Sequence, residues 1–222
     1  MKRALSNCFL LMGVASLAFA SPILLQGTFS ADNQVAFFEV TMIAAQPVTF
    51  ITYSYAGGSV NATSIAGGGF APTAFLFDHV GNVFTLTNDG TCIHAGQDSG
   101  TGNCNDLYYQ NTLGPGTFTL ALAVFDNNPL GAEPLDGFSQ DLNPGFTCQE
   151  AGVAGSFCDL SALGLTRTGN FALSIEGADA AGLAEVPEPG TLSLYCMGGA
   201  ILVLLRRSRV KLGLSVFGEK NE

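Results

Sequence analysis

Apolar and polar residues alternate with a period of two through the middle of the chain. In Thr117-Phe-Thr-Leu-Ala-Leu-Ala-Val-Phe-Asp126, the side chains of Phe118, Leu120, Leu122 and Val124 fall on one face. Thr117, Thr119, Ala121 and Ala123 fall on the other, which predicts a strand with its larger side chains turned to a core. Phe171-Ala-Leu-Ser-Ile-Glu176 repeats the pattern, with Phe171, Leu173 and Ile175 inward. Residues 35–42 and 48–55 are rich in β-branched and aromatic types and predict two further strands. Shorter strands are predicted at 24–29, 74–78 and 83–87. Turn chemistry separates them: Ala31-Asp32-Asn33, Ala56-Gly57-Gly58, Gly67-Gly68-Gly69, Asn88-Asp89-Gly90 and Asp126-Asn127-Asn128-Pro129. No helical period is sustained outside the chain ends. The pattern predicts an all-β domain over 21–176, an antiparallel β-sandwich of jelly-roll-like form. Residues 177–185, small and polar, predict a linker.

The two ends break this pattern. Lys2 and Arg3 lead into an uncharged apolar run ending in Ala18-Phe19-Ala20, which reads as a signal peptide over 1–20 with Ser21 as the new N-terminus. At the other end, Val186-Pro187-Glu188-Pro189 is followed by an apolar span over 190–205 and a basic cluster over 206–211. Pro187 and Pro189 disfavour helix in the residues before them, so Glu188 is expected on an extended spacer. The span is short against the roughly 20 residues of an ordinary transmembrane helix. Arg206, Arg207, Arg209 and Lys211 would stay on the cytoplasmic side and snorkel to lengthen it. Residues 212–222 then form a cytoplasmic tail.

This tripartite end resembles the PEP-CTERM sorting signal of Gram-negative bacteria. The resemblance implies recognition by an exosortase, a membrane-embedded cysteine transpeptidase-like enzyme, with the tail removed on the outer face of the inner membrane. Pro187, Glu188, Pro189, Arg206, Arg207 and Arg209 would then be substrate determinants. A second resemblance rests on Gln26-Gly-Thr-Phe, Tyr53-Ser-Tyr-Ala-Gly-Gly58, Gly68-Gly69-Phe70, Gly116-Thr-Phe-Thr-Leu and Arg167-Thr-Gly-Asn-Phe. These stretches look like an uncharacterised family of exported PEP-CTERM proteins, itself distantly similar to bacterial pre-peptidase C-terminal β-sandwich domains. It implies fold and address, and brings no activity with it.

Charge sharpens the picture. From Ser21 to Val186 there are 15 acidic side chains and one basic one, Arg167, a net charge of about −14. A field of that sign repels phosphate backbones and excludes nucleic acid as a partner. Its expected form is a solvated acidic surface. Four cysteines, Cys92, Cys104, Cys148 and Cys158, lie in the exported region, an even number suited to an oxidising compartment. Three pairings are open. Cys92–Cys104 with Cys148–Cys158 is favoured, because each pair brackets a polar, glycine-containing loop; closing such a loop stabilises by about 3 kcal/mol.

Candidate chemistry is sparse. There is no G-x-S-x-G, no Ser-x-x-Lys and no lysine between the end signals, and His79 and His94 have no evident catalytic partner in sequence. Asp126, Asn127, Asn128 and Asp136 supply hard oxygens on a turn after a strand and form a candidate calcium site, although Asp-Asn-Asn-Pro is also ordinary turn sequence. Tyr53, Tyr55, Tyr108 and Tyr109 could stack on sugar rings, but are expected as half-buried core and rim. The expected function is that of a non-enzymatic exported protein. An exosortase would sort it to the cell surface or the extracellular polysaccharide matrix. The alternative is a calcium-assisted carbohydrate-binding or adhesion module.

Overall fold

The computed structural model describes residues 21–86, 91–162 and 165–184. The expected signal peptide over 1–20, the expected PEP-CTERM segment with its span, and the expected tail over 212–222 lie outside them. Two antiparallel sheets enclose one core. The first contains β1 (Ile23–Thr28), β10 (Asn170–Glu176), β3 (Gln46–Thr52) and β8 (Tyr108–Leu113), in that order. The second runs β11 (Ala180–Leu183), β2 (Val35–Met42), β9 (Gly116–Val124), β6 (Pro72–Phe77) and β7 (Val83–Leu86). Setting β11 aside, the orders β1-β10-β3-β8 and β2-β9-β6-β7 interleave as in a jelly roll: successive strands of the two sheets change sheet, except β6 and β7, which pair as a hairpin within the second. A small hairpin, β4 (Gly58–Val60) with β5 (Thr63–Ile65), stands apart from both.

The long strands β2, β9 and β10 form where alternation lets them bury one face. Phe118, Leu120, Leu122 and Val124 of β9 meet Phe38, Val40 and Met42 of β2 and Phe171, Leu173 and Ile175 of β10 in the core. The inward faces expected for β9 and β10 are those observed. The outer face of the second sheet is also partly buried. There Ala121, Phe75 and Phe77 are covered by Phe138 from the 125–141 loop, which meets Phe75 and Phe37 edge-on at 6.2 and 6.0 Å. Among the described residues no helix is long and apolar enough to cross a membrane.

The structure corrects several boundaries. The strand expected at 48–55 is Gln46–Thr52, and it includes Pro47. The proline is tolerated because the pairing of β3 with β10 spans only Thr49 to Thr52, so no ladder bond is lost on that side. Tyr108–Leu113, with its polar sequence, is a strand that alternation does not reveal; it forms because β3 needs a second partner. The expected linker at 177–185 contains the edge strand β11, paired with β2 from Thr41 to Phe38. Its small side chains carry no pattern, and its pairing is made by main-chain bonds. A 3₁₀ turn at Pro134–Asp136 and a short helix, α1 (Phe146–Glu150), also lie in the long 125–169 connection.

Candidate functional site

The long connections gather at one end of the sandwich, where β3 and β9 finish and β6, β8 and β10 begin. Both disulfides are here. Cys92–Cys104 and Cys148–Cys158 are formed, with Cα separations of 5.0 and 4.8 Å, which is the favoured pairing. A ladder of rings carries the core outward into this end: Phe29 stacks on Phe70 at 5.2 Å, and Phe70 on Phe157 at 6.1 Å.

Four carboxylates organise the loops, and all four are buried: Asp32, Asp98, Asp106 and Asp159. Asp106 accepts the Thr52 hydroxyl at 2.8 Å and the backbone N–H groups of Ser54, Tyr55 and Ala56 at 2.7, 3.1 and 2.7 Å. Burial pushes this carboxyl up, against the downward pull of those same four donors. Asp32 gathers hydrogen bonds around α1. It accepts Gly145 N–H at 2.5 Å, Thr147 N–H at 3.0 Å, the Thr147 hydroxyl at 2.6 Å and Phe157 N–H at 3.4 Å. Gly145 has φ +85°, and a Cβ there would lie 2.5 Å from the Gly155 carbonyl, so only glycine fits the start of α1. Phe157 holds a left-handed φ of 60°, a conformation that costs on the order of 1–3 kcal/mol. It persists because Asp32, the ring stack and the hydrogen bond from Arg167 N–H to its carbonyl all constrain it.

Arg167 is the hub. Its guanidinium donates from Nε and Nη2 to Asp159 Oδ2 at 2.8 and 2.6 Å. It donates from Nη1 and Nη2 to the two oxygens of Asp98 at 3.2 and 3.3 Å. It also lies 3.9 Å over the ring of Tyr55, whose hydroxyl donates to Asp159 at 2.7 Å. Asp159 further accepts the N–H groups of Ser161 and Ala162, and Asp98 those of Gly100 and Thr101. Asp98 sits inside the Cys92–Cys104 loop and Asp159 follows Cys158, so one cation joins both disulfide loops to the end of β3. Tyr55 is fully buried, not half-buried, because its ring is the platform for that cation. Its phenol is raised, first by burial and then by the hydrogen bond to Asp159.

Burial alone would raise the Asp98 carboxyl, but hydrogen bonds from Arg167 and Thr101, with the Arg167 charge, bring it from 3.8 down to about 2. The unfolded chain takes up this proton near the ordinary value while the folded one holds out to about 2. The stabilisation is therefore present above pH 4 and lost as pH falls towards 2. The stability advantage of the wild type over Asp98→Asn, followed by urea unfolding, should shrink across that window. A difference unchanged from pH 5 to pH 2 would refute the pairing. Asp106, raised rather than lowered, acts in the opposite sense but is common to both proteins.

The candidate calcium residues are placed in the 125–141 loop, where their polar atoms hold the loop together and tie it to Asn33. Asn127 is buried; its amide donates to the Asn33 carbonyl at 3.1 Å and accepts Gln140 N–H at 3.0 Å. Asp136 accepts Glu133 N–H at 3.0 Å, and Asp126 accepts the Asn128 amide at 3.5 Å. Among the described residues no three His, Cys, Asp or Glu side chains are grouped to hold a metal ion. The histidines lie apart: His79 follows β6 at the far end, while His94 stacks on Tyr108 at 3.7 Å.

Next to the hub is a small cavity of about 140 Å³, lined by Phe70, Pro72, Val124, Phe125, Asp159 and Ser161. Both oxygens of its one carboxylate are already engaged by protein donors. The arrangement is suited to holding loops rigid. Composition pointed to a solvated acidic skin, and these four aspartates depart from it. The one available signal was Arg167 itself, a lone cation among 15 acidic side chains. Comparison with models of known protein families gives no match, and neither does comparison with characterised proteins.

Proposed function

We propose that this chain is a non-enzymatic exported protein, handed by its C-terminal end to an exosortase and delivered to the cell surface or the extracellular polysaccharide matrix. The observation that carries it is the order Pro187-Glu188-Pro189, apolar span, Arg206-Arg207-Ser208-Arg209. Two features of the domain support it. The last tie of the sheet is Ala184 N–H to the Phe37 carbonyl, so the sorting sequence begins just after β11 and its removal takes away no described strand. Two disulfides suit an oxidising compartment. Around the hub, the acidic side chains are spent on loop contacts, which fits a scaffold rather than a catalyst.

The test is intact mass with terminal peptides, measured on protein from the surface and medium of its host. The expected species starts at Ser21 and ends between Pro187 and Gly190, with four thiols oxidised. Deleting 186–222 should abolish surface retention and that C-terminal maturation together. Unchanged localisation and maturation in the deletion would overturn the proposal.

A further inference from the structure

The outer face of the first sheet carries a groove that the loop-bearing end does not use. Its volume is about 400 Å³, within the range of small-molecule sites at about 300–1,000 Å³. Gln26 and Thr28 of β1 and Asn170 of β10 project from its floor, and Tyr53 borders it where β3 ends. The return from the β4–β5 hairpin, through Ile65 and Ala66, walls it. That hairpin is pinned by Val60 and Ile65, which pack with Ala172, Leu24 and Tyr53. Asn61 and Ala62 both take left-handed φ, 49° and 64°, as a two-residue I′ turn demands.

The chemistry of the lining is unusual for this protein. In a domain of net charge about −14, no residue lining the groove is ionised at neutral pH. The polar groups are amides and hydroxyls, and the aromatic residues are Tyr53 and Phe171. Thr28 donates its hydroxyl to the side-chain amide oxygen Oδ1 of Asn170 at 2.8 Å, and the other end of that exposed amide is its NH₂. Among the described residues no hydrogen bond engages that NH₂, the Gln26 amide or the Tyr53 hydroxyl. The Tyr53 phenol, pushed above its ordinary range first by burial and then by the charges of Asp106 and Glu176, both donates and accepts. Polar groups of both kinds beside an aromatic body match the hydroxyls and apolar faces of a sugar. A polyanion is repelled by the surrounding field, and a polycation would find its carboxylates elsewhere.

We infer that this groove is a binding site for a neutral polysaccharide, with Gln26, Asn170 and Tyr53 as its contact residues. The inference rests on the exported reading above and gives the domain its ligand class. Affinity electrophoresis of the purified protein in gels containing hydroxyethylcellulose, dextran or mannan, with alginate as the polyanion, tests it. Retardation is expected in at least one neutral gel and not in alginate, unchanged by EDTA. The Gln26→Ala/Asn170→Ala variant, altered at two exposed positions, should weaken that binding tenfold or more with its melting temperature nearly unchanged. A single Gln26→Ala variant serves if the double one unfolds. Absence of retardation in every neutral gel, equal retardation in alginate, abolition by EDTA, or full binding by the variants would each overturn the site. Any of these leaves the outcome of deleting 186–222 as it stands, so the two proposals fail separately.

Discussion

Asp32→Ala is expected to destabilise the protein by about 4 kcal/mol or more, a large share of the roughly 5–15 kcal/mol that holds a domain folded. Asp32 is fully buried and is the acceptor for the N–H groups of Gly145, Thr147 and Phe157 and for the Thr147 hydroxyl. Alanine removes the acceptor and leaves those donors in a site that water does not reach, at about 1–3 kcal/mol for each group left unsatisfied. The loss should be local before it is global. Hydrogen exchange should show the amides of Gly145, Thr147 and Phe157 losing protection while those of β9 and β2 keep it. Asp32→Asn should cost less. It retains one oxygen as acceptor but turns an NH₂ towards donors. Equal protection of the α1 amides in Asp32→Ala and wild type would show that another group satisfies them.

Arg167→Met should cost about 3–5 kcal/mol, or roughly 6–20 °C of melting temperature for a domain of this size. Methionine keeps most of the apolar stem and can lie against the Tyr55 ring, so the loss isolates the charge. The side chains of Arg167, Asp98 and Asp159 are only 8, 9 and 0 % exposed, and removing the cation leaves two buried carboxylates repelling one another. The energy comes from that unpaired charge more than from lost attraction. Neutralising the partners separates the two terms. Arg167→Met with Asp98→Asn and Asp159→Asn should recover a good part of the stability lost by Arg167→Met alone, as read by thermal unfolding. Failure of the triple variant to recover any would mean that the cation acts chiefly through the geometry of its hydrogen bonds and the Tyr55 platform. The Cys92–Cys104 and Cys148–Cys158 loops should loosen together in the single variant, since Arg167 is tied to both.

The strands that carry large alternating side chains were legible from the chain. β2, β9 and β10 lie within two residues of their expected bounds and bury the expected faces. The disulfide pairing was legible for a related reason, since each bridge closes a loop of 10 to 12 residues and depends on sequence neighbours. What escaped was whatever depends on a distant partner. β8 and β11 have no apolar rhythm of their own and become strands because β3 and β2 offer unpaired main-chain groups beside them. The hairpin β4–β5 is held by three apolar contacts on the back of the first sheet. Tyr53 and Tyr55 are two residues apart, yet one borders an open groove and the other lies under a buried cation.

The candidate sites divide in the same way. Asp126, Asn127, Asn128 and Asp136 form a run of hard oxygens in the sequence, and the fold uses their polar atoms mainly within one loop, with the Asn127 amide also tying that loop to the Asn33 carbonyl. The residues that organise the loop-bearing end were hidden among ordinary acidic positions. Asp32 reaches donors 113 to 125 positions away, and Asp106 reaches donors 50 to 54 away.

By itself the sequence determined the alternating strands, the inward faces and the acidic balance. Each of these is a property of neighbouring residues, and period-two alternation has the same meaning wherever the strand lies. Only the tertiary structure decided which carboxylates are interior, where the lone arginine goes, and which patch of surface is left without charge. Burial and pairing depend on which segments are brought together, and an aspartate in solvent and one beneath Arg167 are the same letter until the chain folds.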